Sequence, residues 1–206
     1  MLKTIKKPWG YEYLLYQNSE VAIWHLFINP YHETSLHSHP NKKTGLLVLD
    51  GAAKISFLNN TFKLFFGEKI MIRHGVFHRT KCMTDNVLQL LEIETPVDKE
   101  DIVRLEDTYG RAGSTKMGED GTEINPLNIL NGRVGNCQIF FNKIATKNDF
   151  DKSEKFENFM ITEGSVSHLG LAVAGPGDII SYDNLNILIN KFNLSIPIEG
   201  LCIKTC

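Results

Sequence analysis

The chain has 206 residues, 42% of them hydrophobic and 22% charged, a composition that excludes disordered and fibrous classes and leaves a globular fold as the default. Its 22 basic and 24 acidic residues give a formal net charge of −2. No global field therefore draws in nucleic acid or anionic lipid, and the expected ligand is a small molecule or another protein.

In chain order, Met1 to Pro8 is charged and lacks the apolar core of a secretory signal. Val21 to Ile28 is rich in β-branched and aromatic residues and ends at the turn signal Asn29-Pro30. Leu46 to Leu49, far too short for a membrane span, runs into Asp50-Gly51, which predicts a hairpin to Ala52–Phe57. Asn59-Asn60 turns the chain into Thr61–Phe66. Lys69–Ile72 and Val87–Glu94 complete a set of short strands separated by turn residues, the pattern of an antiparallel sandwich or barrel. Pro96 to Asp107 is charged and predicts at most a helical turn, and the Gly-, Asn- and Thr-rich stretch from Arg111 to Asn131 reads as a connection. After it the pattern repeats weakly. The pair Gly164 and Gly177 stands for Gly51 and Gly67, with spacings of 13 and 16 residues, and predicts a shortened second copy of the barrel. Cys82, Cys137, Cys202 and Cys206 show no CxxC spacing. A disulfide between Cys202 and Cys206 is not indicated, and a reduced, cytoplasmic setting is expected.

Five of the seven histidines fall between His32 and His78. His37 and His39 are two apart, so on a strand they project from one face. With His78 on a neighbouring strand, three imidazoles converging in a barrel interior would suit Zn²⁺, Ni²⁺, Fe²⁺ or Mn²⁺. An exposed polar loop after Pro30 would account for the same two histidines without a metal.

The spacing resembles the cupin superfamily, a jelly-roll or double-stranded β-helix barrel. That family's first motif runs HxH, three or four residues, Glu, six residues, Gly; here it reads His37-Ser-His39, four residues, Thr44, six residues, Gly51. The second runs Gly, five residues, Pro-x-Gly, two or three residues, His; here it reads Gly67, five residues, Arg73-His74-Gly75, two residues, His78. The chain departs from the pattern at Thr44, where the family has a glutamate ligand, and at Arg73, where it has proline. A threonine hydroxyl is a poor ligand for a divalent ion, so the resemblance implies a three-histidine site in which a water or substrate oxygen replaces the glutamate.

The flanks narrow the likeness. Lys7-Pro8-Trp9-Gly10 and Asp101-Ile-Val-Arg-Leu-Glu-Asp107-Thr-Tyr-Gly-Arg111 resemble the opening and ending of mannose-6-phosphate isomerases and of the isomerase domain of bifunctional mannose-1-phosphate guanylyltransferases. The resemblance covers residues 7 to 111. It implies an all-β fold with a metal-competent cupin barrel over residues 1–111, and the weak internal repeat predicts a linker and a degenerate cupin-like domain over 112–206. The resemblance also implies a sugar or sugar phosphate as ligand, and a homodimer by the habit of barrel cupins.

Isomerase chemistry of this class needs a cation to polarise the sugar carbonyl, a base to move a proton through an enediol, and a cationic phosphate pocket. Glu92 and Glu94, on one face of the last strand, are the candidate bases, with His74 as an alternative acid or fourth ligand. Lys42, Lys43, Arg73 and Thr44 are the candidate substrate contacts. Two other readings stay open. The chain could be a non-catalytic carbohydrate-binding or regulatory cupin, favoured by Thr44, or a three-histidine iron dioxygenase, to which Thr44 is less damaging.

Overall fold

Each β-rich run of the first 95 residues forms a strand in a computed structural model that describes residues 1–114 and 118–206. Backbone contacts divide the chain into two units, Met1–Pro126 and Leu127–Cys206.

In the first unit the strands are β1 (Leu2–Lys7), β2 (Gly10–Gln17), β3 (Ala22–Ile28), β4 (Leu36–Ser38), β5 (Lys43–Asp50), β6 (Ala52–Phe57), β7 (Thr61–Phe65), β8 (Lys69–Ile72), β9 (His78–Cys82), β10 (Leu88–Thr95), β11 (Val103–Glu106) and β12 (Glu119–Ile124). Among the described residues they build a seven-stranded sheet, β12-β1-β2-β3-β10-β5-β8, and a five-stranded sheet, β11-β4-β9-β6-β7. From β4 to β11 the chain passes from one sheet to the other at nearly every step; only β6 and β7 follow each other within a sheet. That alternation is the cupin jelly roll. The core between the sheets takes Trp24, Leu26, Leu46, Val48 and Leu90 from the first and Ala53, Ile55, Leu64 and Cys82 from the second. Removing such side chains from water supplies the main driving force, about 2 kcal/mol for each large one.

Three expectations need correction. Asp50-Gly51 does not make a hairpin, because β5 pairs with β8 and β10 whereas β6 pairs with β7 and β9. A two-residue type I′ hairpin needs positive φ at both central residues, and only Gly51 has it, at 86°. One left-handed residue turns a corner between sheets. The predicted helical turn after Pro96 is instead strand β11, which pairs with β4, buries Arg104 and leaves Val103 and Leu105 exposed. The predicted connection beyond Arg111 contributes β12, which returns to pair with β1 and carries the first unit past residue 111.

The second unit contains β13 (Gly132–Val134), β14 (Cys137–Ile144), α1 (Lys147–Lys152), β15 (Asn158–His168), β16 (Leu171–Ala174), β17 (Ile179–Ser181), α2 (Tyr182–Lys191) and β18 (Asn193–Thr205). Where the sequence predicts a shortened second barrel, the described strands form a single sheet, β13-β14-β18-β15-β16, with β17 also paired to β15. The internal likeness reaches individual hydrogen bonds. Gly67 N–H donates to Val48 O and Val48 N–H to Glu68 O. At the equivalent glycine, Gly177 N–H donates to Ile161 O and Ile161 N–H to Asp178 O. The two helices, which sequence reading did not single out, begin at Thr146 and Ser181, whose side chains accept from the first turn. Their Phe150, Leu185 and Ile189 pack with Phe159, Ile161 and Ile198 of the sheet, filling the place that a second sheet occupies in the first unit. None of the four cysteines is in a disulfide, and burial pushes the Cys202 thiol up.

Candidate metal centre

Strand register assembles the site. On the five-stranded sheet, Arg104 of β11 lies opposite His37 of β4, and His37 lies opposite His78 of β9. Directly opposed residues share a face, so the two histidines and the arginine form one inward row. His39, two residues beyond His37, joins them. The ring centroids are 4.5 Å apart for His37–His78, 5.0 Å for His37–His39 and 5.6 Å for His39–His78. A nitrogen from each of the three rings lies within 4.8 Å of the others.

The tautomers are set. Nδ1–H of His37 donates to Ser35 O at 2.8 Å, that of His39 to Asp101 O at 2.6 Å, and that of His78 to Val76 O at 3.1 Å. A proton held on Nδ1 leaves the Nε2 lone pair free to ligate, the orienting arrangement typical of metal-bound histidines. Nε2 of His39 is buried with no hydrogen-bond partner. Burial, and for His37 also the neighbouring His78 and His39, holds the His37 imidazole well below the usual range and His78 down at about 4; burial and Lys42 lower His39. The rings are neutral at neutral pH, as metal ligands must be. The donor set fits a divalent transition metal.

The facing sheet brings carboxylates to the same cavity. Glu92 of β10 lies opposite Trp24 and Leu46, and Glu94 opposite Ala22 and Thr44, so both glutamates share the inner face with the core. His39, Glu92 and Glu94 form a second cluster whose ligand atoms lie within 4.8 Å of one another. Burial and the adjacent Glu94 push the Glu92 carboxyl up to about 8. Glu94 is ion-paired to the buried Lys42 at 2.9 Å. Glu12 of β2 is buried between Lys7 at 3.1 Å and Lys99 at 3.0 Å. Burial alone would raise the Glu12 carboxyl, but Lys99 and Lys7 hold it below the usual carboxylate range. Lys99 also stands 3.4 Å over the Trp24 ring.

These groups line one cavity of about 60 Å³, whose wall also includes Arg104 and Arg111. Five cationic side chains against three carboxyl groups line it, a balance that favours an anionic ligand. Of the residues singled out from sequence, His37, His39, His78, Lys42, Glu92 and Glu94 meet here. Thr44 is buried on the rung opposite Glu94, outside the cavity wall, with its hydroxyl unpartnered. Lys43 is only half-buried and outside the cavity wall, and Arg73 and His74 are exposed in the turn after β8, away from it. Sequence reasoning missed Lys7, Glu12, Lys99, Arg104 and Arg111. For Lys7, Arg104 and Arg111 the signal lay in the two flanking motifs, which both converge on this cavity. Asp101 shows how: its carbonyl orients His39 while its carboxylate accepts from the N–H groups of Asn41 and Lys42, each at 3.0 Å.

A family model described as mannose-6-phosphate isomerase C-terminal matches residues 1–107, more than half of the chain. The xanthan biosynthesis protein XanB of Xanthomonas campestris pv. campestris is 27% identical over 111 residues, which cover 53% of this chain and 24% of XanB. A mannose-1-phosphate guanylyltransferase of Sinorhizobium fredii is 26% identical over 106 residues, 50% of this chain and 21% of the enzyme. The match thus spans about a quarter of the length of these curated relatives. Among solved structures, a cupin-superfamily sugar phosphate isomerase from Silicibacter pomeroyi aligns with a TM-score of 0.40 at 18% identity, covering 42% of this chain and 59% of that one. No helix among the described residues is long and apolar enough to cross a membrane. By its matched half, the chain belongs to the mannose-6-phosphate isomerase C-terminal family, and its first unit is a cupin domain.

Proposed function

We propose that the first unit is a metal-dependent cupin that isomerises a sugar phosphate between aldose and ketose. The observation that carries this reading is the convergence, in one cavity, of three neutral histidines with inward Nε2 atoms, an unusually basic carboxyl at Glu92, and an excess of cationic side chains. A divalent ion on His37, His39 and His78 would supply Lewis-acid polarisation of the sugar carbonyl. Glu92 faces the same space and is the candidate base that moves the proton between C1 and C2, as aldose–ketose interconversion requires. Arg104 and Arg111, rather than the exposed Arg73, take the phosphate, because they line the cavity and a guanidinium fork matches phosphate oxygens. Trp9 and Leu26 close the apolar side and exclude water.

The test is interconversion of hexose 6-phosphates by metal-replete protein, beside His78→Ala. Loss of both bound metal and turnover in the variant is expected, and Glu92→Gln should lower kcat by about 10²-fold or more with metal retained. Turnover that survives metal removal would overturn the mechanism. The Lys42–Glu94 ion pair, which sets an ammonium close to His39, favours a second reading as a non-catalytic carbohydrate-binding cupin. Sugar phosphate binding without turnover in metal-replete protein would select it.

A further inference from the structure

We propose that Glu94 supplies the metal-binding carboxylate that the cupin motif would place at position 44, so that the centre is completed across a strand pair instead of along β5. This rests on the metal reading of the three histidines and goes beyond it by naming a fourth ligand and its origin.

Thr44 and Glu94 are directly opposed in the β5–β10 register, and both are buried. Opposed residues on one face have Cβ atoms about 5 Å apart, so a carboxylate rooted at 94 is offered to the space that one rooted at 44 would use. Threonine at 44 is short enough to leave that space open. Its Oγ1 has no hydrogen-bond partner and stands beside the Glu94 rung as a donor for the carboxylate. A Glu94 oxygen lies within 4.8 Å of a ring nitrogen of His39, which belongs to both clusters. Ligand atoms about 2.1 Å from an ion sit roughly 3–3.5 Å apart, so Glu94, which clusters with His39 but not with His37 or His78, has to swing its side chain toward those two rings to complete the set. Lys42, at 2.9 Å from Oε1, is a positioning residue that anchors one oxygen and leaves the other for the ion. Glu92 is the weaker candidate, because its rung opposes Leu46, one side-chain repeat further from position 44.

The experiment uses full-length protein loaded with Co²⁺, reading affinity by chelator competition and coordination by the visible absorption spectrum. Glu94→Gln should weaken Co²⁺ binding by about tenfold or more and alter the spectrum. Adding Thr44→Glu to that variant should restore both. Because Glu94→Gln strands a buried lysine, the Lys42→Met, Glu94→Gln double variant is measured alongside and should show the same loss with the fold intact by circular dichroism. Wild-type affinity and spectrum in both Glu94 variants would overturn the inference, as would a loss confined to Glu92→Gln. No Co²⁺ binding by the wild-type chain would instead remove the three-histidine reading itself, and His37→Ala separates that case by abolishing any genuine binding.

Discussion

His37, His39 and His78 each commit one ring nitrogen to a backbone carbonyl, which fixes ring orientation before any ligand arrives. Two of those carbonyls lie two residues away in the chain, and the third comes from Asp101, 62 residues from His39. His25 shows what a histidine without this arrangement does. It opposes Tyr13 and Leu91, on the sheet face opposite to Trp24 and Leu26, and its Nδ1 meets the Tyr13 hydroxyl at 2.8 Å. Burial pushes its imidazole down from 6.5 to about 4, so the folded chain keeps it neutral where the unfolded chain protonates it. The unfolded state then binds the extra proton between pH 6.5 and 4. The stabilisation is complete above the unfolded value and is lost as pH falls through that window. The loss amounts to about 2.5 kcal/mol by pH 4.5. Denaturant unfolding of metal-free protein at pH 7 and pH 4.5 should therefore show a drop that is smaller by about that amount in His25→Gln. Equal drops in the two proteins would mean that His25 titrates normally in the fold. The histidine triad was legible in sequence because HxH needs only strand periodicity. The orienting carbonyl of Asp101 was not, because it depends on a contact made 62 residues away.

At the scale of strands, the same glycines that made the motifs readable decide where the chain turns. Gly10, in Lys-Pro-Trp-Gly, has φ 147°, and a Cβ there would lie 2.0 Å from the carbonyl oxygen of Phe27. That close approach joins β2 to β3 and holds Trp9, whose carbonyl accepts from Asn29 N–H at 2.9 Å, against the cavity. Gly10→Ala should cost on the order of 3 kcal/mol, read as a lower denaturant midpoint; an unchanged midpoint would show that β2 and β3 can part without penalty. The strands from Ala22 to Glu94 followed from alternation and β-branched content, but their connections did not. Asp50-Gly51 has hairpin chemistry, and whether a left-handed glycine closes a hairpin or turns a corner depends on which strands are available to pair. Val103 to Glu106 lies in the charged run that predicts at most a helical turn. Only pairing with β4 buries Arg104 and turns the segment into a wall of the site. The flanking motifs were recognisable as likeness, while their role required the fold that folds both ends onto one cavity.

Across the whole chain, two units share a plan and differ in the elements that carry ligands. In the first, β4 lies between β3 and β5 and presents His37, and the loop after β8 leads directly into β9 and His78. In the second, the corresponding places hold α1, between β14 and β15, and α2, after β17. Helices in those positions bury Phe150, Leu185 and Ile189 in the core of the unit. β15 keeps the corner glycine as Gly164, at φ 81°, but runs through it as one bent strand. Its lone histidine, His168, is exposed and packs edge-on against Phe192 at 5.1 Å. Among the described residues, every group of three potential ligand side chains lies in the first unit. The expected metal content is therefore one ion per chain in spite of the repeat. His37→Ala should reduce it to none, and His168→Ala should leave it unchanged. Elemental analysis by plasma mass spectrometry of the three proteins decides this. Two ions per wild-type chain, or a loss in His168→Ala, would mean that the second unit has kept a ligand function that its packing argues against.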